Sequence, residues 1–465
     1  MAMITMIKKR DGRQVPFNIE KIANAIFKAA QTVGGKDYSE AMALADKVCQ
    51  QLSEEVIGRD PSVEEVQDMV ERVLVEQGHA KTAKAYILYR ADRTRAREMN
   101  STLMKIYEDL TFMSASDCDI KRENANIDGD TAMGTMLKYG SEGAKQFNEM
   151  YVLDPRHSHA HINGDIHIHD LDFLTLTTTC CQIDLLKLFH GGFSTGHGYL
   201  REPNDISSYA ALACIAIQSN QNDQHGGQSV PIFDYAMAEG VKKTFRRLYT
   251  NNLAKAVSFT LGIDDFTEVL EEFKLIAGEI YKETGLYPRL GSNDDYKAKE
   301  WEIASAKYGD EFSHLQDRAE KLAEAETDRA TYQAMEALIH NLNTMNSRAG
   351  AQNPFSSINY GTDTSPEGRM VIKNVMLAEE HGLGNGETPI FPIHIFKVKE
   401  GVNYNPGDPN YDLFKLAIRV SAKRMFPNFS FIDAPFNLQY YKPGDYHTEA
   451  AYMGCRTRVI GNVYD

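Results

Sequence analysis

Three groups of side chains in this sequence have the types and spacing to do chemistry: thiols, clustered histidines and a small basic cluster. The thiols include the adjacent pair Cys180 and Cys181 and, far along the chain, Cys455 in Met453-Gly454-Cys455-Arg456. Neighbouring residues on a strand point to opposite faces, so only one of the adjacent pair can share a surface with a third group. A disulfide within the pair is a poor alternative, because adjacent cysteines bridge only with strained geometry. A lone cysteine such as Cys455 is, on composition alone, an ordinary buried thiol.

The histidines His157, His159, His161, His167 and His169 raise the possibility of a metal site, since an HxH pair can put two imidazoles on one strand face. No carboxylate set completes such a site, and structural hydrogen bonding by His167, His169 and Asp170 explains the run better. Two glycine-flanked polar clusters, Gly196-His197-Gly198 and His225-Gly226-Gly227-Gln228, could let backbone approach a ligand closely, and a turn or tight helix packing explains them equally well. Phe355 to Asn359 reads as a strand whose small polar side chains, Ser356, Ser357 and Asn359, could face a ligand. Near the N-terminus Lys8, Lys9, Arg10 and Arg13 surround the single acid Asp11, a local pocket for a small anion.

These groups need elements to hold them. Ile4 to Lys9 and Gln14 to Phe17 are short strands across a turn containing Asp11-Gly12. Asn18 caps a helix with Ile19, Ile22, Ala23, Ile26, Phe27 and Ala30 at helical spacing. A second helix begins near Ser39, and a third after Asp60-Pro61-Ser62 carries Val63, Val66, Met69, Val70, Val73 and Leu74 and ends at Gly78. A fourth runs from about Ala80 into the charged ADRTRARE stretch, the exit from a small domain of roughly ninety residues. From Cys180 onward apolar or β-branched runs alternate with helical segments, as in a largely parallel α/β sheet. TLTTTCCQIDL, NPFSSINYG, TPIFPIHIFKV and NFSFIDAPF are the strand-like pieces. The charged stretch between Ile263 and Asn346 reads as long helices with solvated faces.

The whole is 465 residues long, 42% hydrophobic and 25% charged, which suits a globular chain of two or three domains. No run of eighteen apolar residues and no signal core are present, so the expected location is the cytoplasm and no membrane partner is expected. A formal charge of −15 argues against a general nucleic-acid surface, which needs an excess of clustered Lys and Arg. The six cysteines show no CxxC pair, so neither a disulfide scaffold nor a structural zinc site is expected within this stretch.

Two resemblances follow from particular segments. IKKRDGRQVPF, NIEKIANAI and AKAYILYR together resemble an ATP-cone, a nucleotide-binding regulatory domain at the start of many ribonucleotide reductases. From about residue 100, the ordered segments DIHIHDLDF, GGFSTGHG, NQNDQHGGQSVPIFDY, NPFSSINYGTDTS, GNGETPIFPI, FPNF and MGCRTRV are similar to anaerobic (class III) ribonucleoside-triphosphate reductase. The implied division is 1–98 for the cone and 99–465 for the catalytic part. The implied fold is α/β: a cone of β-hairpin plus helices, then an incomplete ten-stranded α/β barrel of the glycyl-radical type with a central finger loop.

The same resemblance implies the roles. Cys455 falls on the finger-loop position of the thiyl-forming residue. Cys180 falls on the first barrel strand as the second redox cysteine, favoured by the trailing IDL, with Cys181 as the fallback. His197, His225, Gln228, Ser356, Ser357 and Asn359 become candidate substrate contacts. Lys9, Arg10, Lys21 and Lys84 become phosphate contacts for ATP or dATP, with Tyr86 or Tyr89 near the base. Formate is the implied reductant, a radical-SAM activase the implied partner, and dNTPs the specificity effectors at a dimer interface formed by helices beside the barrel. A homodimer or a larger nucleotide-dependent oligomer is expected. Members of the family continue to a region with four zinc-binding cysteines and a glycyl-radical loop, so zinc and the radical glycine are expected there and the chain is read as incomplete. Gly461 in RVIGN echoes that loop but follows MGCR too closely to be given its role. Competing readings are another glycyl-radical enzyme, such as a pyruvate formate-lyase relative, a non-catalytic nucleotide-binding fragment, and a metal hydrolase built on the HxH pairs.

Overall fold

A computed structural model describes residues 4–10, 12–114, 129–175, 179–346, 352–454 and 458–459. Asp11, Cys118, Cys455, Arg456 and Gly461 lie outside the described residues. The chain divides into two compact units, one of residues 1–112 and 142–169, the other of 113–141 and 170–465.

In the first unit, β1 (Met6–Lys8) pairs antiparallel with β2 (Gln14–Pro16), placing Ile7 opposite Val15. The Asn18 side chain accepts the Glu20 amide at 2.8 Å and starts α1 (Ile19–Thr32). Asp37 caps α2 (Tyr38–Glu55), and Ser62 with Glu65 closes a reciprocal capping box on α3 (Val63–Glu76). The amide of Lys8 donates to the carbonyl of Pro61 at 2.8 Å, tying the hairpin to the start of α3. Ile22, Ile26, Leu44, Val48, Leu52, Met69, Val73 and Leu74 form one buried cluster. The fourth helix, α4, runs from Ala80 to Phe112, past the exit expected near residue 98. Ala, Arg and Glu in ADRTRARE are good helix formers, and no Gly or Pro interrupts them. After α5 (Ala132–Phe147), α6 (Pro155–Ile162) belongs to the first unit.

The second unit is a parallel sheet with helical crossovers. Its strands are β3 (Thr179–Gln182), β6 (His225–Val230), β7 (Ser356–Tyr360), β8 (Ile393–Val398) and β9 (Asn428–Phe431), side by side in that order. Between β3 and β6 come α7 (Leu185–Phe189), a hairpin of β4 (Phe193–Ser194) and β5 (Tyr199–Leu200), and α8 (Ile206–Asp223). The link from β6 to β7 is α9 (Phe233–Leu261), α10 (Phe266–Thr284), α11 (Asp294–Tyr308) and α12 (Phe312–Thr344), the long helices expected of the charged stretch. α13 (Pro366–His381) and α14 (Tyr411–Arg424) follow β7 and β8. The chain then passes through α15 (Pro435–Leu438) to β10 (Ala451–Tyr452), which pairs with β11 (Arg458–Val459).

The sheet has two different faces. Val230, Ile358, Tyr360, Phe396 and Val398 pack into the main core with Phe233, Phe245, Tyr249, Val371 and Val375 of the helices. The alternate positions Ser229, Ser357, Asn359, Ile395 and Lys397 lie on the other face by strand period and register. All four strand-like pieces named from the sequence are strands here. The fifth strand, β6, emerges from the glycine-flanked His225 cluster. Five strands make up the described sheet, against ten in the barrel that the resemblance implies.

Candidate active site

The register between β3 and β6 slips at Cys180. Thr179 lies opposite His225 and Cys181 opposite Gln228, so β6 carries one extra residue in the interval. Gly226 takes φ of +80° there, and Cys180 itself takes φ of +49°, an uncommon backbone for a side-chain-bearing residue. The Gly227 amide donates to the Cys180 Sγ at 3.4 Å and the Thr179 hydroxyl does so at 3.7 Å. A Cβ on Gly226 would sit 2.8 Å from that sulfur, so the thiol requires the glycine.

Cys181 faces the helices. Asn220 of α8 donates to its Sγ at 3.0 Å and to the Gln228 Oε1 at 2.8 Å, and burial pushes the Cys181 thiol pKa up. The two adjacent sulfurs therefore have different surroundings.

On the face away from the helices, residues Glu449 to Gly454 form a strap across β6, β7 and β8. Ser229 Oγ and Asn359 Nδ2 each donate to the Tyr452 carbonyl at 2.9 Å, and the Tyr452 amide returns a bond to the Asn359 Oδ1 at 2.8 Å. One end of the strap is held by charge. Glu449 accepts from Thr362 Oγ1 at 2.8 Å, from Lys399 Nζ at 3.0 Å and from Lys397 Nζ at 3.2 Å. Burial alone would raise the Glu449 pKa, but the two lysines outweigh it and keep the carboxyl below its usual range. At the other end Gly454 is closely packed: a Cβ there would overlap Ile393 Cδ1, the tip of that side chain, and lie 3.3 Å from Phe355 Cε1. The Phe355 ring also reaches Gly227, where a Cβ would be 2.9 Å from its Cδ1. A continuous packed path thus runs from the Cys180 sulfur through Gly226-Gly227 and Phe355 to Gly454, the residue preceding Cys455 in the sequence.

The expected ligand contacts divide around this sheet. Ser357 and Asn359 are on the strap face. Ser357 Oγ donates to the Gln228 carbonyl at 3.1 Å, and Asn359 is fully buried against the strap. Gln228 and Ser356, paired in register, face the helices: Gln228 is held by Asn220, and Ser356 Oγ donates to the Pro354 carbonyl at 3.2 Å. Gln228 and Ser356 thus lie on the face opposite Ser357 and Asn359, for the two-residue period that turns Ser357 toward the strap turns Ser356 away. His225 stacks on Phe173, ring centroids 5.0 Å apart, with Asp170 Oδ2 at 3.6 Å from its Nε2. His197 is exposed in the turn between β4 and β5.

The histidine run is a succession of tilted rings, His161 to His167 and His167 to His169 each at 5.7 Å between centroids. Among the described residues no group of three or more His, Cys, Asp or Glu is arranged to hold a metal ion, and no helix is long and apolar enough to cross a membrane.

In the first unit Arg10 pairs with Glu64 and donates to Gln67 Oε1 at 3.1 Å. Glu64 also receives Arg90 at 3.0 Å, and Arg90 reaches Asp68 and Glu71 as well. Hydrogen bonding from Arg10 acts with Arg90 to hold the Glu64 carboxyl below its usual range, against the effect of burial. Glu64, Arg90, Thr94, Arg95, His159 and Asn163 line a cavity of about 780 Å³. Lys9, Lys21 and Lys84 are exposed. Tyr86 belongs to the helical core, its pKa pushed to about 12 chiefly by burial, so its side chain is a packing element of this unit.

Sequence reasoning named neither Asn220, Tyr452 nor the Lys397–Glu449 pair. Asn220 sits in the NQNDQHGGQ segment, but only the register between β3 and β6 sets Cys181 and Gln228 on the face it reaches. Nothing local connects Lys397 to Glu449, which only the fold brings together.

Over residues 123–463 the chain matches the family model described as anaerobic ribonucleoside-triphosphate reductase, and over residues 5–95 that of the ATP cone domain. The anaerobic ribonucleoside-triphosphate reductases of Salmonella typhimurium and Escherichia coli are each 27% identical to it, over 458 and 461 residues, covering 98% of this chain and 54% of those proteins. That of Haemophilus influenzae is 28% identical over 426 residues, 90% of this chain and 51% of its own. The chain thus spans about half the length of the curated relatives it matches. The anaerobic ribonucleotide reductase of Thermotoga maritima in complex with dATP and CTP superposes with a TM-score of 0.41 at 13% identity, over 73% of this chain and 50% of that one, a likeness too distant to bear on the fold. With a model match across 123–463 and a cone before it, the chain belongs to the anaerobic ribonucleoside-triphosphate reductase family.

Proposed function

We propose that this chain carries the two redox cysteines and the nucleotide-sensing domain of an enzyme that converts ribonucleoside triphosphates to 2′-deoxyribonucleoside triphosphates, with formate as reductant. The observation that carries the reading is the packed path from the Cys180 sulfur to Gly454, which brings a thiol on β3 toward the segment leading into Cys455.

The 2′-hydroxyl is a poor leaving group on an unactivated carbon, and radical formation at C3′ removes that barrier. A glycyl radical, on a region beyond the family segments matched here, supplies the unpaired electron. Cys455, once its thiol hydrogen is given up to that radical, would take the 3′-hydrogen as a thiyl, the 2′-hydroxyl departs as water on gaining a proton, and the Cys455 thiol so formed returns hydrogen to C3′. Cys180 gives a hydrogen to C2′ on the opposite side of the ribose, leaving a 3′-ketone, and formate restores the Cys180 thiol with its hydrogen and, with a proton, returns the ketone to the C3′ radical as it leaves as carbon dioxide. Overall, formate and a proton are consumed while carbon dioxide and water are released, which balances the exchange of hydroxyl for hydrogen. Installing the radical requires a separate iron–sulfur activase using S-adenosylmethionine, and any zinc belongs with the radical-bearing region. Cytoplasmic work by a homodimer or larger oligomer fits this chemistry.

For regulation, the effector nucleotide binds in the first unit, with Arg10 exchanging its Glu64 partner for phosphate and Lys9, Lys21 and Lys84 adding charge. ATP permits activity and dATP suppresses it by favouring another quaternary arrangement. Size-exclusion and activity measurements with each nucleotide test this, and identical behaviour with both counts against it. For the chemistry, Cys455→Ser in the full-length protein is expected to abolish nucleotide reduction while leaving dATP binding intact. Retained turnover would remove Cys455 from the mechanism.

A further inference from the structure

The strap that leads into Cys455 is held by a side chain that imitates a strand. Asn359 lies in the middle of β7 and is fully buried, a costly place for an amide unless its polar atoms are matched. They are. Its Oδ1 accepts the Tyr452 amide at 2.8 Å, and its Nδ2 shares its two hydrogens among three acceptors, the Tyr452 carbonyl at 2.9 Å, Ser229 Oγ at 2.9 Å and the Val230 carbonyl at 3.3 Å. A primary amide presents one acceptor and two donor hydrogens. Here it meets both backbone polar groups of one residue, as the facing residue of an antiparallel strand would.

We propose that Asn359, backed by Ser229, is a positioning residue that fixes the Tyr452 peptide and so sets where the chain enters Cys455. Only Met453 and Gly454 separate Tyr452 from that cysteine. Met453 is buried, and Gly454 packs directly on Ile393 and Phe355, leaving little freedom downstream of the anchor. The amide of Asn359 is committed to this task, so a substrate contact made by Asn359 would have to displace the strap. The proposal rests on the reading of Cys455 as the reacting thiol. A misplacement of about 1 Å in a reacting group can cost on the order of 10²-fold in rate.

Two measurements separate the anchoring from that reading. In the 465-residue chain, Asn359→Ala is expected to speed amide exchange in the peptide covering Tyr452 by about tenfold or more, a loss of 1.4 kcal/mol of local protection per factor of ten, with α9 and α13 unchanged. Ser229→Ala removes one of the two donors to the Tyr452 carbonyl and gives a smaller effect in the same peptide, which serves if the alanine at 359 fails to fold. Unchanged exchange at Tyr452 in both overturns the anchoring. In the full-length protein carrying its radical, with CTP as substrate, both variants are expected to lower kcat, by up to roughly 100-fold for Asn359→Ala, with KM within twofold and the radical's EPR amplitude preserved. A raised KM at constant kcat makes Asn359 a substrate contact and sinks the proposal. If instead Cys455→Ser still turns over while exchange at Tyr452 responds as stated, the anchor stands and the role given to Cys455 falls.

Discussion

Cys180 and Cys181 are covalent neighbours in unlike surroundings. The first meets two glycines and a backbone amide; the second accepts from Asn220 on the helix side. In the full-length protein Cys180→Ser is therefore expected to lose nucleotide reduction and Cys181→Ser to keep most of it, read as dNTP formed per minute. Equal loss would mean that the Asn220 bond matters to the chemistry as much as the sulfur facing Gly226. Gly226→Ala is the sharper probe. It adds a methyl 2.8 Å from the Cys180 Sγ at a φ that alanine adopts only with strain, a backbone cost of about 1–3 kcal/mol. The expected result is a lowered melting temperature together with loss of turnover, checked by calorimetry and assay of the same preparation. At this scale the sequence singles out a residue where it sits inside a recognisable segment, as Cys180 does before IDL. It was silent on orientation: Ser356 and Ser357 are indistinguishable in composition, and only register with Gln228 and Ser229 tells them apart.

Local signals served the elements well when they were chemically explicit. Asn18 and Ser62 are the caps that the sequence requires, and the Ser62–Glu65 box satisfies both backbone amides it should. Ser62→Ala is expected to destabilise the first unit by about 1 kcal/mol, measured as a shift in its urea midpoint with the second unit's transition unmoved. A common shift of both transitions would show that the two units unfold as one. The element least legible was β6. His225-Gly226-Gly227-Gln228-Ser229 offers no β-branched residue before Val230, and its glycines read as a turn. They are there because a thiol and an aromatic ring press against the backbone, a tertiary reason invisible to propensity. The fourth helix runs on through the charged stretch read as a domain exit, since a charged run that could close a domain is equally a good helix.

At the scale of the whole molecule, several ionisable groups are buried in the second unit without full compensation. His394 Nε2 and Glu379 Oε2 approach to 3.6 Å in the core, with the Tyr360 hydroxyl 3.0 Å from His394 Nδ1. Burial pushes the Glu379 carboxyl up to about 8 and the His394 imidazole down to about 3. The raised carboxyl contributes stability that is present below its ordinary pKa near 4.5 and lost as pH rises to about 8, because the unfolded chain releases that proton first. The depressed imidazole contributes stability present above 6.5 and lost as pH falls toward 3. Glu379→Gln abolishes only the first dependence. Its melting temperature relative to the parent is expected to improve steadily from pH 5 to pH 8, and a constant difference across that range would show that Glu379 is ionised in the fold.

In the described sheet β3 has β6 on one side, so it is an edge strand, and its pairing is already interrupted at Cys180. Edge pairing is the part of a sheet that opens most easily. The thiol proposed to meet a sugar is therefore carried at the margin of the described sheet. Solvent exchange at Cys181 and Gln182 is expected to outpace that of β7, and on the proposed reading nucleotide bound beside Cys180 slows it.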